Sequence, residues 1–176
     1  AFSERGILMK KAAGILRDKS NIYGRLITQE MGKPLSQAIA EVEKCALVCD
    51  YYAENAEKIL TREVVSTDAS ESYMQFEPLG VILAVMPWNY PFWQVFRFAV
   101  PALMAGNVAL LKHASNVPIT ALAIEDVFSQ ACFPSGTFTT LLSGPQNIEA
   151  IISLPAIKAV TLTGSEAAGR QVAAIS

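Results

Sequence analysis

From Pro78 onward the chain repeats one pattern four times: a short apolar run followed by a helical segment. The runs are Val81–Met86, Val108–Leu111, Phe138–Leu142 and Ala159–Leu162. The helical segments are Trp93–Met104, Ile119–Cys132, Ile148–Ser153 and one that opens at Ser165. A strand that is apolar on both sides has no face to offer water, so it belongs in a sheet covered by helices above and below. Crossover helices between successive strands make that sheet parallel and doubly wound, an α/β fold of Rossmann-like topology. Ligands of such sheets gather at the carboxyl ends of the strands, so the informative residues are expected just after each run.

The upstream sequence has other periods. Ile7, Leu8, Ile15, Leu16, Ile22, Leu26, Ile27 and Met31 recur at helical spacing, with a break near Ser20 and Asn21. Gly32-Lys33-Pro34 stops that pattern. Ser36 is expected to cap a third helix running to about Leu60, with Ile39, Val42, Ala46, Cys49, Ala53 and Ala56 along one side. Between Thr61 and Pro78 the period falls to two, predicting strands at Glu63–Val65 and Tyr73–Phe76 joined by a polar connection. Three segments result: a helical part at 1–60, a β-hairpin arm at 61–78, and the Rossmann-like region at 79–176. Only the start of a helix follows the last strand, so the expectation is a truncated sheet and a chain that is part of a larger protein. The first residue, Ala1 rather than Met, agrees with that expectation.

Composition excludes several classes. Hydrophobic residues make up 52% of the chain and charged residues 17%, yet the longest apolar candidate, Val95–Leu111, is interrupted by Arg97, Pro101, Gly106 and Asn107. No run is long enough to span a bilayer. A formal net charge of −2, evenly spread, offers nothing to nucleic acid or to an anionic membrane. Three cysteines form no regular framework, which makes a reducing cytoplasm the default location.

The first strand feeds Met86-Pro87-Trp88-Asn89-Tyr90-Pro91. Two prolines and a tryptophan make a rigid turn with the amide of Asn89 at its apex. A fixed amide donor at a strand's carboxyl end suits a developing oxyanion. On residue type alone, such an asparagine more often satisfies its own turn. In the same way a lysine ending a strand is more often a solvated edge charge, and Thr-Gly-Ser is more often an ordinary helix cap.

Pro87-Trp88-Asn89-Tyr90-Pro91 closely resembles the signature PWN(F/Y)P of the aldehyde dehydrogenase superfamily. Three further segments resemble that family in order and spacing: Leu110–Ser115 with its terminal Lys112, Leu142-Ser143-Gly144-Pro145, and Thr161-Leu162-Thr163-Gly164-Ser165 with Gly169. The resemblance implies that Asn89 is the oxyanion-stabilising, catalytic amide. It implies a cofactor site made by Met86, Pro87, Trp88, Lys112, Ser115, Gly144, Thr163, Gly164 and Ser165. Lys112 is expected to hold the adenosine ribose, and the helix opening at Ser165 to receive the pyrophosphate. Gly169 is expected to permit close helix packing.

Two departures matter. The G-x-G-x-x-G dinucleotide fingerprint is missing, as the resemblance implies for a family that grips the pyrophosphate later in the chain. His113 stands where the family usually has proline and is read as a rim residue without a catalytic role. Cofactor choice turns on Ser115: members strict for NAD tend to carry a glutamate there, whereas a hydroxyl can donate to a 2′-phosphate. NADP, or dual use with NAD, is therefore expected. Trp93 and Arg97 share a helical face after the Asn89 turn, and Trp93, Gln94 and Arg97 are expected to line the aldehyde tunnel. Arg97 would bind a carboxylate at the far end of the substrate, a surface or interdomain salt bridge being the alternative. Pro87–Arg97 also resembles the succinate-semialdehyde dehydrogenase branch.

The implied reaction needs a nucleophilic thiolate and a water-activating glutamate. In the family both follow Gly169, so this chain alone is expected to be inactive. Cys45 and Cys49, four apart on a helix, could pair as metal ligands, but no His or acid completes a set and a core role is expected, with no metal. Cys132 is expected to lie far from the strand tips. The hairpin arm resembles an oligomerisation arm, implying a dimer or tetramer of the intact protein. The competing class is a non-catalytic dinucleotide-binding or assembly module.

Overall fold

The computed structural model describes residues 1–175. A helical layer comes first: α1 (Phe2–Asp18), α2 (Ser20–Met31) and α3 (Leu35–Ile59). The break between α1 and α2 falls at Lys19, and α2 ends on Gly32 in the left-handed conformation (φ 76°), which glycine adopts without steric cost. Pro34, extended at φ −53° and ψ 133°, launches α3 directly. Ser36 therefore lies inside the helix and caps nothing, a correction that follows from proline already occupying the boundary.

The arm is shorter than the alternation predicts. Its antiparallel strands, β1 (Glu63–Val64) and β2 (Tyr73–Met74), pair over two residues each, with one more bond from Val65 N–H to Ser72 O. No third strand continues the ladder, and Val64, Tyr73, Met74 and Phe76 stand exposed. An isolated two-stranded ribbon has too little to pack against to extend further.

The parallel sheet is as the runs imply. Its strands are β3 (Val81–Met86), β4 (Val108–His113), β5 (Phe138–Thr140) and β6 (Ile157–Leu162), in the order β5-β4-β3-β6. The connecting helices are α4 (Pro91–Met104), α5 (Pro118–Gln130) and α6 (Ile148–Ile152, after a 3-10 turn at Pro145–Asn147), with α7 (Glu166–Ile175) after β6. From β3 the chain winds outward to β4 and β5, then returns to place β6 on the other flank of β3. The winding direction reverses between β3 and β6, which is where doubly wound sheets open their ligand crevice.

Alternation along the strands sorts side chains to the two faces. Ala84, Met86, Ala109 and Leu111 join a core shared with α1, α3, α4 and α5. Val85 and Lys112 face the opposite side, toward α6 and α7. A chain of aromatic rings fixes the first face: Phe92 stacks on Phe96 (6.0 Å), Phe96 on Phe128 (5.3 Å), and Phe128 on Phe138 (4.7 Å). Such offset ring pairs add to the burial of large apolar surfaces, and here they lock α4 and α5 onto the sheet. No described helix is long and apolar enough to cross a membrane.

Candidate functional site

The two corners that follow the central strands lie side by side. β3 and β6 pair in parallel register with Val85 opposite Leu162, and Thr163 N–H donates to Val85 O at 3.1 Å. The Pro87–Tyr90 turn and the Thr163–Ser165 turn therefore leave neighbouring strand ends at the same edge of the sheet, at its switch point. Asn89 is exposed at the first corner, and its side chain has no hydrogen-bond partner among the described residues. The reading in which that amide satisfies its own turn has no counterpart in the geometry.

Helix N-termini at this edge are not equivalent. α4 starts at Pro91, and its next two N–H groups, of Phe92 and Trp93, donate to Glu41 Oε1 at 2.9 and 3.0 Å. α5 starts at Pro118, and the N–H groups of Ile119 and Thr120 donate to the Glu30 carboxylate at 2.8 and 2.7 Å. Both helix ends thus hold an internal anion supplied by the helical layer, in the place where a Rossmann-type helix would take a phosphate. α7 differs. Its end carries Ser165, whose Oγ accepts from Ala168 N–H at 3.2 Å, and no carboxylate from another element covers it among the described residues. Of α4, α5 and α7, the positive end left for an external anion among the described residues is that of α7, after β6. This accounts physically for the missing glycine fingerprint after β3: that helix end is already closed.

Three depressions surround these corners. A cleft of about 550 Å³ runs between the sheet and α6 and α7, lined by Val85, Lys112, Pro145, Ile148, Leu162 and Val172. Lys112 is largely buried, carries no ion pair among the described residues, and burial holds its ammonium below the usual lysine pKa. A smaller pocket of about 260 Å³ brings Ser115 together with His113, Ser143 and Gly144. A groove of about 480 Å³ lies between α4, β3 and β6, with Met86, Gln94, Arg97, Phe98, Thr161 and Thr163 on its walls.

The sequence candidates are thus divided among three places. Lys112 sits in the cleft beside α7, and Ser115 and Gly144 share the small pocket. Met86 and Thr163 turn into the Arg97 groove, on the sheet face opposite Lys112. Trp88 is half exposed at the corner. Trp93 is not in that groove: its ring lies beneath the Lys44 ammonium, 3.8 Å from the ring centroid, and packs against α3. Gln94 shares Arg97's groove. Arg97 is exposed and has no ion pair among the described residues, so the surface salt-bridge alternative finds no partner there. A Cβ at Gly169 would meet nothing closer than Leu162 Cδ2 at 3.9 Å, ordinary contact, so close helix packing does not require that glycine among the described residues.

His113 is buried. Its Nδ1 accepts from Ala114 N–H at 2.9 Å, which leaves the proton on Nε2 to donate to Pro91 O at 3.0 Å. Burial lowers its pKa, partly opposed by the backbone hydrogen bonds at Pro91 and Met86. Cys45 and Cys49 are fully buried in α3, and burial raises both thiols well above the usual range. Cys132 is exposed just after α5, toward the amino edge of the sheet.

The chain matches the profile of the aldehyde dehydrogenase family over residues 1–176. It belongs to the aldehyde dehydrogenase family. A relative from Synechocystis sp., named a probable succinate-semialdehyde dehydrogenase [NADP(+)], is 59% identical over 172 residues, covering 98% of this chain and 38% of that protein. A Mycobacterium bovis protein named succinate-semialdehyde dehydrogenase [NADP(+)] 1 is 50% identical, covering 100% of this chain and 39% of its own length. A crystal structure of succinic semialdehyde dehydrogenase from Streptococcus pyogenes, in complex with NADP+, superposes with a TM-score of 0.95 at 35% identity. It covers 99% of this chain and 38% of that one. The chain therefore has the aldehyde dehydrogenase fold over a segment spanning well under half the length of these relatives.

Glu41, Lys33 and Glu30 escaped the sequence reading. Glu41 is 51 residues from the N–H group it first accepts, and Glu30 is 89. No local spacing marks such a contact.

Proposed function

We propose that this chain supplies the dinucleotide-binding face and the oxyanion amide of an NADP-using succinate-semialdehyde dehydrogenase, with NAD as a second acceptable cofactor. One observation carries the reading: the Asn89 corner and the Ser165 helix end leave adjacent parallel strands, so one crevice reaches both.

The residues fit a dinucleotide. α7 offers a helix end not closed by a carboxylate from another element, Lys112 offers a cation with no ion pair among the described residues in a mostly apolar cleft that Glu149 also lines, and Ser115 leaves its pocket free of any carboxylate that would repel a 2′-phosphate. When bound, the nicotinamide accepts the hydride. Asn89 donates its amide N–H to the aldehyde oxygen as negative charge develops there, an interaction worth about 3–4 kcal/mol in favourable cases. Arg97, reaching into the α4 groove, holds the carboxylate at the other end of the substrate. The attacking thiolate and the water-activating glutamate come from other parts of the full-length enzyme. Cys45 and Cys49 are sealed in the core, and Cys132 lies at the wrong edge of the sheet. The arm of β1 and β2 pairs with another subunit through its exposed edges, and three free cysteines suit a reducing cytoplasm.

The test is made on the full-length enzyme with NADP and succinate semialdehyde, following reduced cofactor. Asn89→Ala is expected to lower kcat by about 100–1000-fold with little change in dinucleotide affinity. Lys112→Met is expected to weaken dinucleotide binding instead. This chain alone is expected to bind dinucleotide and to form no reduced cofactor. Undiminished kcat in Asn89→Ala would overturn the reading.

A further inference from the structure

We propose that Glu41, held in place by Lys33, is the positioning residue for the Asn89 turn. This rests on the reading of Asn89 as the oxyanion amide.

The turn is held on both of its flanks. On its entry side, β3 is tied into the sheet by β4 and β6. On its exit side, Glu41 Oε1 accepts from both Phe92 and Trp93 N–H, the first free donors of α4 after Pro91. The other oxygen, Oε2, is paired with the Lys33 ammonium, and that ammonium lies 3.7 Å from the ring centroid of Tyr90, the residue after Asn89. His113 Nε2–H holds Pro91 O from the strand side. Asn89 itself has no partner among the described residues, so its amide stays available while its backbone is fixed from both flanks.

Glu41 is 4% exposed and Lys33 8%. An unpaired charge is costly to bury, and each of these two side chains supplies the other's counter-charge. The pair reaches α4 from α3 and from the loop after α2. The position of the amide is therefore set by the helical layer, outside the sheet. Displacing a reacting group by about 1 Å can cost about 100-fold in rate, so a clamp of this kind acts on kcat without touching substrate.

The experiment is a double-mutant cycle on the full-length enzyme. Glu41→Ala is expected to lower kcat by about 10–100-fold, with KM and dinucleotide affinity within about threefold of wild type. Glu41→Gln combined with Lys33→Met, which keeps the oxygen that accepts both N–H groups and removes the cation that would otherwise be buried unpaired, is expected to recover most of that loss. In an Asn89→Ala background, Glu41→Ala is expected to add less than about twofold, because the group it positions is gone. Should Glu41→Ala not fold, Glu41→Asp runs the same cycle: it keeps the charge beside Lys33 but ends one methylene short of α4. A full additional loss in the Asn89→Ala background would overturn the inference alone, and so would the Glu41→Gln, Lys33→Met double variant being as damaging as Glu41→Ala. Undiminished kcat in Asn89→Ala by itself would overturn the oxyanion reading and this inference with it.

Discussion

Replacing Arg97 by methionine is the sharpest probe of what the α4 groove selects. Arg97 lies six residues into α4 from Pro91, about 9 Å along the helix axis at about 1.5 Å per residue. Helical side chains tilt toward the N-terminus, the end of α4 that carries the Asn89 corner. That leaves room for a short substrate between the amide and the cation. Arg97 is exposed and unpaired among the described residues, so its removal should cost the fold no more than about 0.5 kcal/mol. A hydrogen-bonded contact with a charged group is worth about 1.5–3 kcal/mol, which converts to about 10–150-fold in kcat/KM. Initial rates would be measured with succinate semialdehyde and with butanal, its uncharged analogue of equal chain length. The expected result is that loss with the first substrate and a change within about twofold with the second. Equal losses with both, or no loss with either, would refute the assignment of Arg97 to the substrate carboxylate.

Other outcomes follow from the same geometry. Ser115→Glu is expected to weaken NADP binding by about 10-fold or more while sparing NAD, measured by titrating each cofactor, because a carboxylate would then face the 2′-phosphate. His113 has its pKa lowered from 6.5 by burial, so the unfolded chain takes up its proton first. Stability should accordingly fall as pH drops below about 6.5 and level off beneath the folded-state pKa; His113→Gln should flatten that slope in thermal unfolding across the window. Thiol titration of the folded chain should modify Cys132 and leave Cys45 and Cys49 unreactive until denaturant is added.

Much of the architecture was legible in local pattern. Val81–Met86 coincides with β3 to the residue, and each of the other apolar runs shares one end with its strand and differs from it by two residues at the other. Turn chemistry did the same for the corners: prolines around Asn89, and Gly164 with Ser165 before α7, sit at strand ends because those residues cannot continue a strand. What failed was finer. Ser36 read as a cap because its side chain is of the right type, yet Pro34 had already set the start of α3. Trp93, Gln94 and Arg97 read as one group after the Asn89 turn, yet the bulky Trp93 ring found Lys44 and α3 and left Gln94 and Arg97 in the groove.

Two kinds of physics separate here. Periodicity and turn preference act over a few residues, so the sequence by itself determined the strands, the helices and the order in which the corner residues leave the sheet. Which helix ends stay open was decided only when the layers packed. Glu41 and Glu30 reach α4 and α5 across 51 and 89 residues of chain. That contact depends on how α2 and α3 lie against the sheet, a packing outcome that no local spacing records. Closing those two ends leaves the positive terminus of α7 to an external anion, and the same packing holds the turn that carries Asn89.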